Sequence, residues 1–288
     1  MGYKELFLYQ EPLINYNLDE GEPKLNLLGA PFDNTSTYRA GSRFGPNALR
    51  EAFANIEIFS PDYNLDLEKV SIRDWGNLRA SKKVEEYISN LSKVIKELID
   101  YKKSFGIFGG EHTITLGSIK ALKEDVHYII FDAHFDLRDE YEGFKISHAT
   151  FLKRAIEELG ENKFLHIGSR AMAKEEWEYA KRIGLNFITT KEIIGGKLSK
   201  LKEMIKPLNK IYVSVDLDVL DPCYAPGVSN PEPLGLSSFQ FMELLNLFRT
   251  KRLVGFDIVE LCPPYDNGNT ALLAAKILSE LLILAYKY

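Results

Sequence analysis

The sequence predicts an α/β fold of three layers, αβα, around a mostly parallel sheet of about eight strands. Two observations predict it. Short apolar runs rich in β-branched and aromatic residues recur along the chain, bounded by Gly, Asp and Pro, and segments of helical periodicity lie between them. That alternation implies right-handed crossovers and a parallel sheet covered on both faces. A third observation adds a position: His, Asp and Glu stand at several strand ends, where open parallel sheets hold their ligand sites.

In chain order the expected strands are Leu25–Ala30, Val70–Trp75, Ser104–Phe108, His127–Asp132, Phe164–Gly168, Asn186–Thr189, Ile211–Asp216 and Leu253–Val259. Among the helices, Pro46–Ala54 opens on a proline, whose fixed φ suits a first turn. Val84–Lys103 places Val84, Tyr87, Ile88, Leu91, Val94, Ile95 and Leu98 on one stripe, and Ser237–Arg249 and Asn269–Tyr286 repeat the pattern. Asp221–Ser237 is too rich in Pro and Gly to be an element, and a long ordered loop in a compact domain usually serves function. No repeat, low-complexity tract or long linker divides the chain, so residues 1–288 are expected to form one domain.

Composition narrows the classes. Of 288 residues, 45% are hydrophobic, which supports a large core and excludes disorder. A net charge of −5 without a clustered basic face argues against nucleic acid as a partner. The two cysteines, Cys223 and Cys262, form no C-x-x-C spacing, as expected of a cytoplasmic chain with reduced thiols. The N-terminal string has no signal-peptide pattern, and the apolar C-terminal stretch is broken by Ser279 and Glu280, so no membrane partner is expected.

The chemistry gathers at four strand ends. One is followed by Gly109-Gly110-Glu111-His112, the next carries Asp132-Ala133-His134-Phe135-Asp136, a third carries Asp216-Leu217-Asp218, and the fourth runs through Asp257 to Glu260. A lone D-x-D is weak, and His112 alone could satisfy a helix start. D-x-H-x-D is harder to dismiss: in extended chain its three side chains share one side, and such crowding is costly unless a cation relieves it. His112, Asp132, His134, Asp136, Asp216 and Asp218 are more donors than one ion uses comfortably. Two divalent ions sharing carboxylates fit, and oxygen donors with two imidazoles and no thiolate suit Mn²⁺ better than structural Zn²⁺.

G-G-E-H-T (Gly109–Thr113), D-A-H-F-D (Asp132–Asp136), S-H-A-T (Ser147–Thr150), S-V-D-L-D-V-L-D-P (Ser214–Pro222) with A-P-G (Ala225–Gly227), and D-I-V-E (Asp257–Glu260) together resemble the arginase/agmatinase ureohydrolases. Y-R-A-G-S-R-F-G-P (Tyr38–Pro46) is similar to the agmatinase branch. The resemblance covers the chain from about Leu28 onward and implies an arginase-like fold. It implies two Mn²⁺ per chain, bridged by Asp132 and Asp216, with His112 and Asp136 completing one site and His134 and Asp218 the other. It further implies that a water activated there attacks a guanidinium carbon, that Asp136 contacts this nucleophile and relays its proton, that His148 shuttles protons, and that Glu260 holds the guanidinium. The implied substrate is a small guanidino compound, first agmatine, giving putrescine and urea as in polyamine biosynthesis, and the implied assembly is a homo-oligomer, trimeric or hexameric.

Departures from the family pattern are Glu111 for the commoner Asp, Ala149 for Gly, and Pro226-Gly227-Val228-Ser229-Asn230-Pro231 for P-G-T-G-T-P, which touches the substrate's entry rather than the ligands. Arginase and formimidoylglutamase activities compete, the latter because D-A-H-F-D-L-R (Asp132–Arg138) occurs in that branch. A relative without catalysis and a phosphoester hydrolase are further alternatives, disfavoured by the retained proton-transfer residues and by the lack of a phosphate clamp. Arg138 is expected to turn outward onto Asp139 or Glu140, and Asp139, Glu140 and Glu142 are candidates to attract a cationic tail. His127 and His166 are expected in the core, Trp75 and Trp177 as packing residues, and Tyr141, Tyr224 and Tyr265 at the active edge.

Overall fold

The structure is a computed structural model describing residues 7–9, 14–18, 22–99, 103–122 and 125–287. Its centre is a nine-stranded sheet of β1 (Leu8–Tyr9), β2 (Leu25–Ala30), β5 (Ile72–Leu78), β6 (Ser104–Gly109), β7 (His127–Phe131), β8 (Phe164–Ser169), β9 (Asn186–Thr189), β10 (Lys210–Asp216) and β11 (Arg252–Val259), in the spatial order β1-β5-β2-β6-β11-β10-β7-β8-β9. Eight strands run parallel, and the short β1 closes one edge antiparallel to β5. A separate two-residue pair, β3 (Phe59–Ser60) and β4 (Leu65–Asp66), lies outside it. Helices α1 (Gly45–Phe53), α2 (Val84–Leu98), α3 (Thr115–Ala121), α4 (Phe151–Leu159), α5 (Lys174–Ile183), α6 (Thr190–Ile194), α7 (Leu198–Ile205), α8 (Ser238–Asn246) and α9 (Asn269–Tyr286) complete the fold.

Period-two alternation splits the core between the two sheet faces. Ile129 and Phe131 of β7 join Val213, Val215, Phe256 and Ile258 against α1, α7, α8 and α9. Their neighbours Tyr128, Ile130 and Tyr212 join Phe105 and Ile107 against α2, α3, α4 and α5. Strands buried on both sides carry continuous apolar runs for this reason. Every residue of the predicted α2 stripe is buried. The helix stops at Leu98 rather than Lys103, because the chain must extend again before β6 begins at Ser104. Residues 100–102 lie outside the described residues.

Two other elements moved by more than one residue. β5 continues through Gly76 (φ 84°), where two residues of β5 oppose one of β2 in a bulge, so the glycine bends the strand instead of ending it. The helix predicted through Arg249 ends at Asn246, and Leu247, Phe248 and Arg249 continue as tighter turns, each N–H donating to the carbonyl three residues back. α9 is long and apolar enough to cross a membrane, yet 67% of it is buried and it packs on β11 and α1, so it is a core helix.

Candidate metal centre and active site

The four strands with chemically loaded ends, β6, β11, β10 and β7, are consecutive in the sheet. Asp216 pairs with Val259 across β10 and β11, and Val215 with Phe131, so the loops beyond them leave at one level. The glycines after β6 permit close approach: a Cβ on Gly110 would sit 1.9 Å from the Phe32 carbonyl oxygen. Instead, Glu111 N–H donates to that oxygen at 2.7 Å and Glu260 N–H donates to the Gly110 carbonyl at 2.8 Å, tying three loops together. Glu260, in a left-handed conformation (φ 65°), then turns its Oε1 onto the His112 N–H at 2.8 Å.

D-A-H-F-D does not gather its side chains in the expected way. β7 ends at Phe131, and beyond it the chain stays beside the segment after β8, the Ala133 carbonyl accepting from both Arg170 and Ala171 N–H and His134 forming an isolated bridge to Ala171. Asp136 adopts φ 53°, and that left-handed residue brings its carboxylate back. Convergence comes from a strained turn, a feature that concentrates at functional sites, rather than from strand periodicity.

All six predicted donors meet. His112 Nδ1 lies 2.9 Å from Asp132 Oδ2, 3.2 Å from Asp216 Oδ2 and 3.8 Å from Asp136 Oδ2. His134 Nδ1 lies 2.8 Å from Asp218 Oδ2 and 3.7 Å from Asp132 Oδ1. His112, Asp132 and Asp136 form one group able to hold an ion, and Asp132, His134 and Asp218 form another, so Asp132 is shared. Backbone N–H groups of Ala133, His134 and Asp218 fix the carboxylates of Asp218, Asp132 and Asp216.

The electrostatics ask for cations. Burial and the neighbouring carboxylates, Asp132 for Asp136 and Asp218 for Asp216, push both groups well above the usual carboxylate range. Burial also raises Asp218, but His134 and the Ala133 N–H outweigh it and hold the group at about 2. Two buried atoms aimed into the cluster, His112 Nδ1 and Asp132 Oδ2, have no hydrogen-bond partner although they face each other. Unpaired buried donor atoms among crowded carboxylates are what two divalent ions would satisfy, so the residues fit the metal pair.

Beside the cluster lies a cavity of about 340 Å³, bordered by Thr37, Arg138, Tyr141, His148, Met172, Glu176, Asn230 and Glu260. Glu260 is pushed up to about 8 by burial, which outweighs a hydrogen bond from Ser229. Burial holds His148 down at about 4, so its imidazole is neutral. Its Nδ1 and Nε2 each lie 3.4 Å from a threonine hydroxyl, of Thr35 and Thr37, and Thr35 is in turn bonded to the buried Glu111 carboxylate. Arg138 borders the cavity with Nε 3.8 Å from Glu176 Oε2, and its guanidinium lies over the Tyr141 ring. The acid facing it is therefore Glu176, contributed by α5, whereas Asp139 is exposed and bound by Lys153 and Arg154. Tyr224 and Tyr265 are exposed and do not line the cavity.

His166 is fully buried, as expected, with Nε2 2.7 Å from the His134 carbonyl, which steadies the ligand loop. His127 is only half-buried, and Trp177 is partly exposed over Phe135 and Phe187. Sequence reasoning missed Thr35, Thr37, Glu176, Asn230 and Ser214 as site residues. Ser214 stood inside a recognised motif; Glu176 and the threonines reach the site from distant segments without any local pattern.

Residues 23–284 match the Arginase family. The chain is 34% identical to the N(1)-aminopropylagmatine ureohydrolase of Thermococcus kodakarensis, with 95% of both chains covered. It is 35% identical to the agmatinase of Pyrococcus horikoshii, with 88% of both covered. The crystal structure of agmatine ureohydrolase of Thermoplasma volcanium superposes with a TM-score of 0.86 at 39% identity, covering 92% of this chain and 90% of that one.

Proposed function

The chain belongs to the arginase family, and from that premise we propose that it hydrolyses agmatine to putrescine and urea in the cavity beside the Asp132 cluster. The observation that carries this reading is a six-donor cluster beside a cavity that the buried Glu260 also borders. Two divalent ions, Mn²⁺ by the hardness of the donors, would supply Lewis acidity and a nucleophile at neutral pH. His112, Asp132, Asp136 and Asp216 would hold one, and Asp132, His134, Asp216 and Asp218 the other.

The chain's own residues do the rest. Glu260 takes the substrate guanidinium in a charge-assisted contact and fixes its carbon over the cluster. Asp136 accepts a proton from the attacking water and passes it toward the leaving nitrogen. His148, neutral at the cavity wall, carries protons between that nitrogen and solvent, so that urea and a primary ammonium leave. Hydrolysis in this cytoplasmic chain belongs to polyamine formation, and a homo-oligomer is its proposed state.

The tail preference follows from charge. Arg138 is the sole Lys or Arg among the described residues bordering the cavity, and Glu176 and the Tyr141 ring engage it. A cationic tail then meets no free like charge, whereas an acidic tail has to displace Glu176. The test is urea or amide release from agmatine, N1-aminopropylagmatine, arginine and formimidoylglutamate, in wild type and Arg138→Ala. Agmatine is expected to give the highest kcat/KM in both. Preference for an acidic substrate in wild type that disappears in Arg138→Ala would replace this assignment with a carboxylate-directed one.

A further inference from the structure

Asp257, the first residue of D-I-V-E, takes no part in the chemistry above, yet it is fully buried inside β11. Its register partner on β10 is Ser214. Three hydroxyls converge on it: Oδ2 accepts from Tyr212 at 2.7 Å and from Thr115 at 2.9 Å, and Oδ1 accepts from Ser214 at 2.5 Å. A carboxylate offers only lone pairs, so the single Ser214 proton is committed to Asp257. The Thr115 hydroxyl, 3.4 Å from Ser214 Oγ, directs its own proton to Asp257, so Ser214 Oγ presents only lone pairs to His112 Nε2 at 2.9 Å. The proton of the neutral imidazole must therefore sit on Nε2. Nδ1 is left bare, and it is this atom that lies unpartnered among Asp132, Asp216 and Asp136.

We propose that Asp257 is a positioning residue which, through Ser214, locks His112 in its Nε2–H tautomer and so keeps Nδ1 open toward a divalent ion. The proposal rests on the metal-centre reading above and adds to it a reason why the residue is a carboxylate. Partners that orient the far nitrogen of a metal-binding histidine commonly contribute about 10–100-fold in affinity. An amide of the same shape would act oppositely. In Asp257→Asn the side-chain oxygen stays with the two donors Tyr212 and Thr115, which leaves its NH₂ facing Ser214. Ser214 then accepts from Asn, turns its own proton onto His112 Nε2, and drives the imidazole proton to Nδ1, where an ion would bind.

The test reads the tautomer directly, on full-length metal-free protein labelled with ¹⁵N-histidine at pH 8. His112 is assigned from the signal lost in His112→Asn. Wild type is expected to show a protonated Nε2 and a bare Nδ1, and Asp257→Asn the reverse, with Mn²⁺ affinity by calorimetry weaker by about 10–100-fold. Tyr212→Phe removes another hydroxyl donor to Asp257 but spares the Ser214 link, and should keep both the tautomer and, within about threefold, the affinity. An Nε2–H tautomer persisting in Asp257→Asn, or equal losses in Tyr212→Phe, overturns the proposal. Should Asp257→Asn fail to fold, Ser214→Ala is expected to show a mixture of tautomers, and an unchanged spectrum is equally fatal. Wild type with Nε2–H that binds no divalent ion sinks the metal-centre reading instead, which keeps the two failures apart.

Discussion

At the residue scale, the site is built from side chains whose ordinary tendencies are overruled. Asp136 and Glu260 occupy left-handed backbone, and Asp136 and Asp216 are pushed far from their usual acidity by burial among like charges. Such positions are retained for chemistry, so isosteric changes there are expected to be expensive in rate and mild in shape. Asp136→Asn should lower kcat by about 10³-fold, within the range of general-base contributions; a loss under tenfold would remove Asp136 from proton transfer. His148→Ala should lower kcat by about 10²-fold with KM nearly unchanged, since a shuttle acts after binding. An effect seen in KM alone makes His148 a binding group. That Asp136, Asp216 and Glu260 meet at one sheet edge was legible in the motifs, because they stand at the ends of strands. Their path was not: period-two reasoning put Asp136 beside Asp132 in extended chain, whereas the chain turns through left-handed backbone at Asp136 (φ 53°), for which the motif carries no local signal.

At the element scale, the strands do the positioning and the loops do the contact. Apolar runs buried on both faces announce themselves, so all eight parallel strands were expected within a few residues of their observed bounds. The two-residue strands β1, β3 and β4 are too short to show any period. α5 has a weak stripe because it buries little more than Glu176 and Ala180, and so the residue that engages Arg138 went unnoticed. Close approach of the loops after β2, β6 and β11 requires Gly110, whose missing Cβ leaves room for the Phe32 backbone. Gly110→Ala should therefore destabilise the protein by about 1–3 kcal/mol, as overpacking does, and displace His112 and Glu260 together. Denaturant midpoints and bound-metal content on one sample check this; normal values of both would show that the loops have slack.

At the scale of the whole molecule, the catalytic edge and the core draw on the same burial. Burial depresses His166 and His148 from 6.5 to about 4, so between these values the unfolded chain binds protons that the folded chain refuses. The contribution of each histidine is then full above pH 6.5 and lost as pH falls toward 4, at about 1.4 kcal/mol per pH unit, while the raised carboxylates of Asp136, Asp216 and Glu260 act in the opposite direction. In denaturant unfolding of metal-free protein at stepped pH, His166→Gln should lower the slope of stability against pH by one proton relative to wild type between about pH 6.5 and 4; an identical slope in the variant would place the uptake elsewhere. Fold class was readable before any coordinates because alternating strands and helices are written along the chain, whereas the cavity wall comes from segments more than a hundred residues apart, as Thr37 and His148 are. In the proposed reaction, two divalent ions held by six side chains drive release of urea from agmatine. Titrating chelated protein with Mn²⁺ while following both bound metal and urea tests it most directly. Activity should rise in step with occupancy and level off at two ions per chain; full activity at one ion or none, or two bound ions with no urea from agmatine, would contradict it.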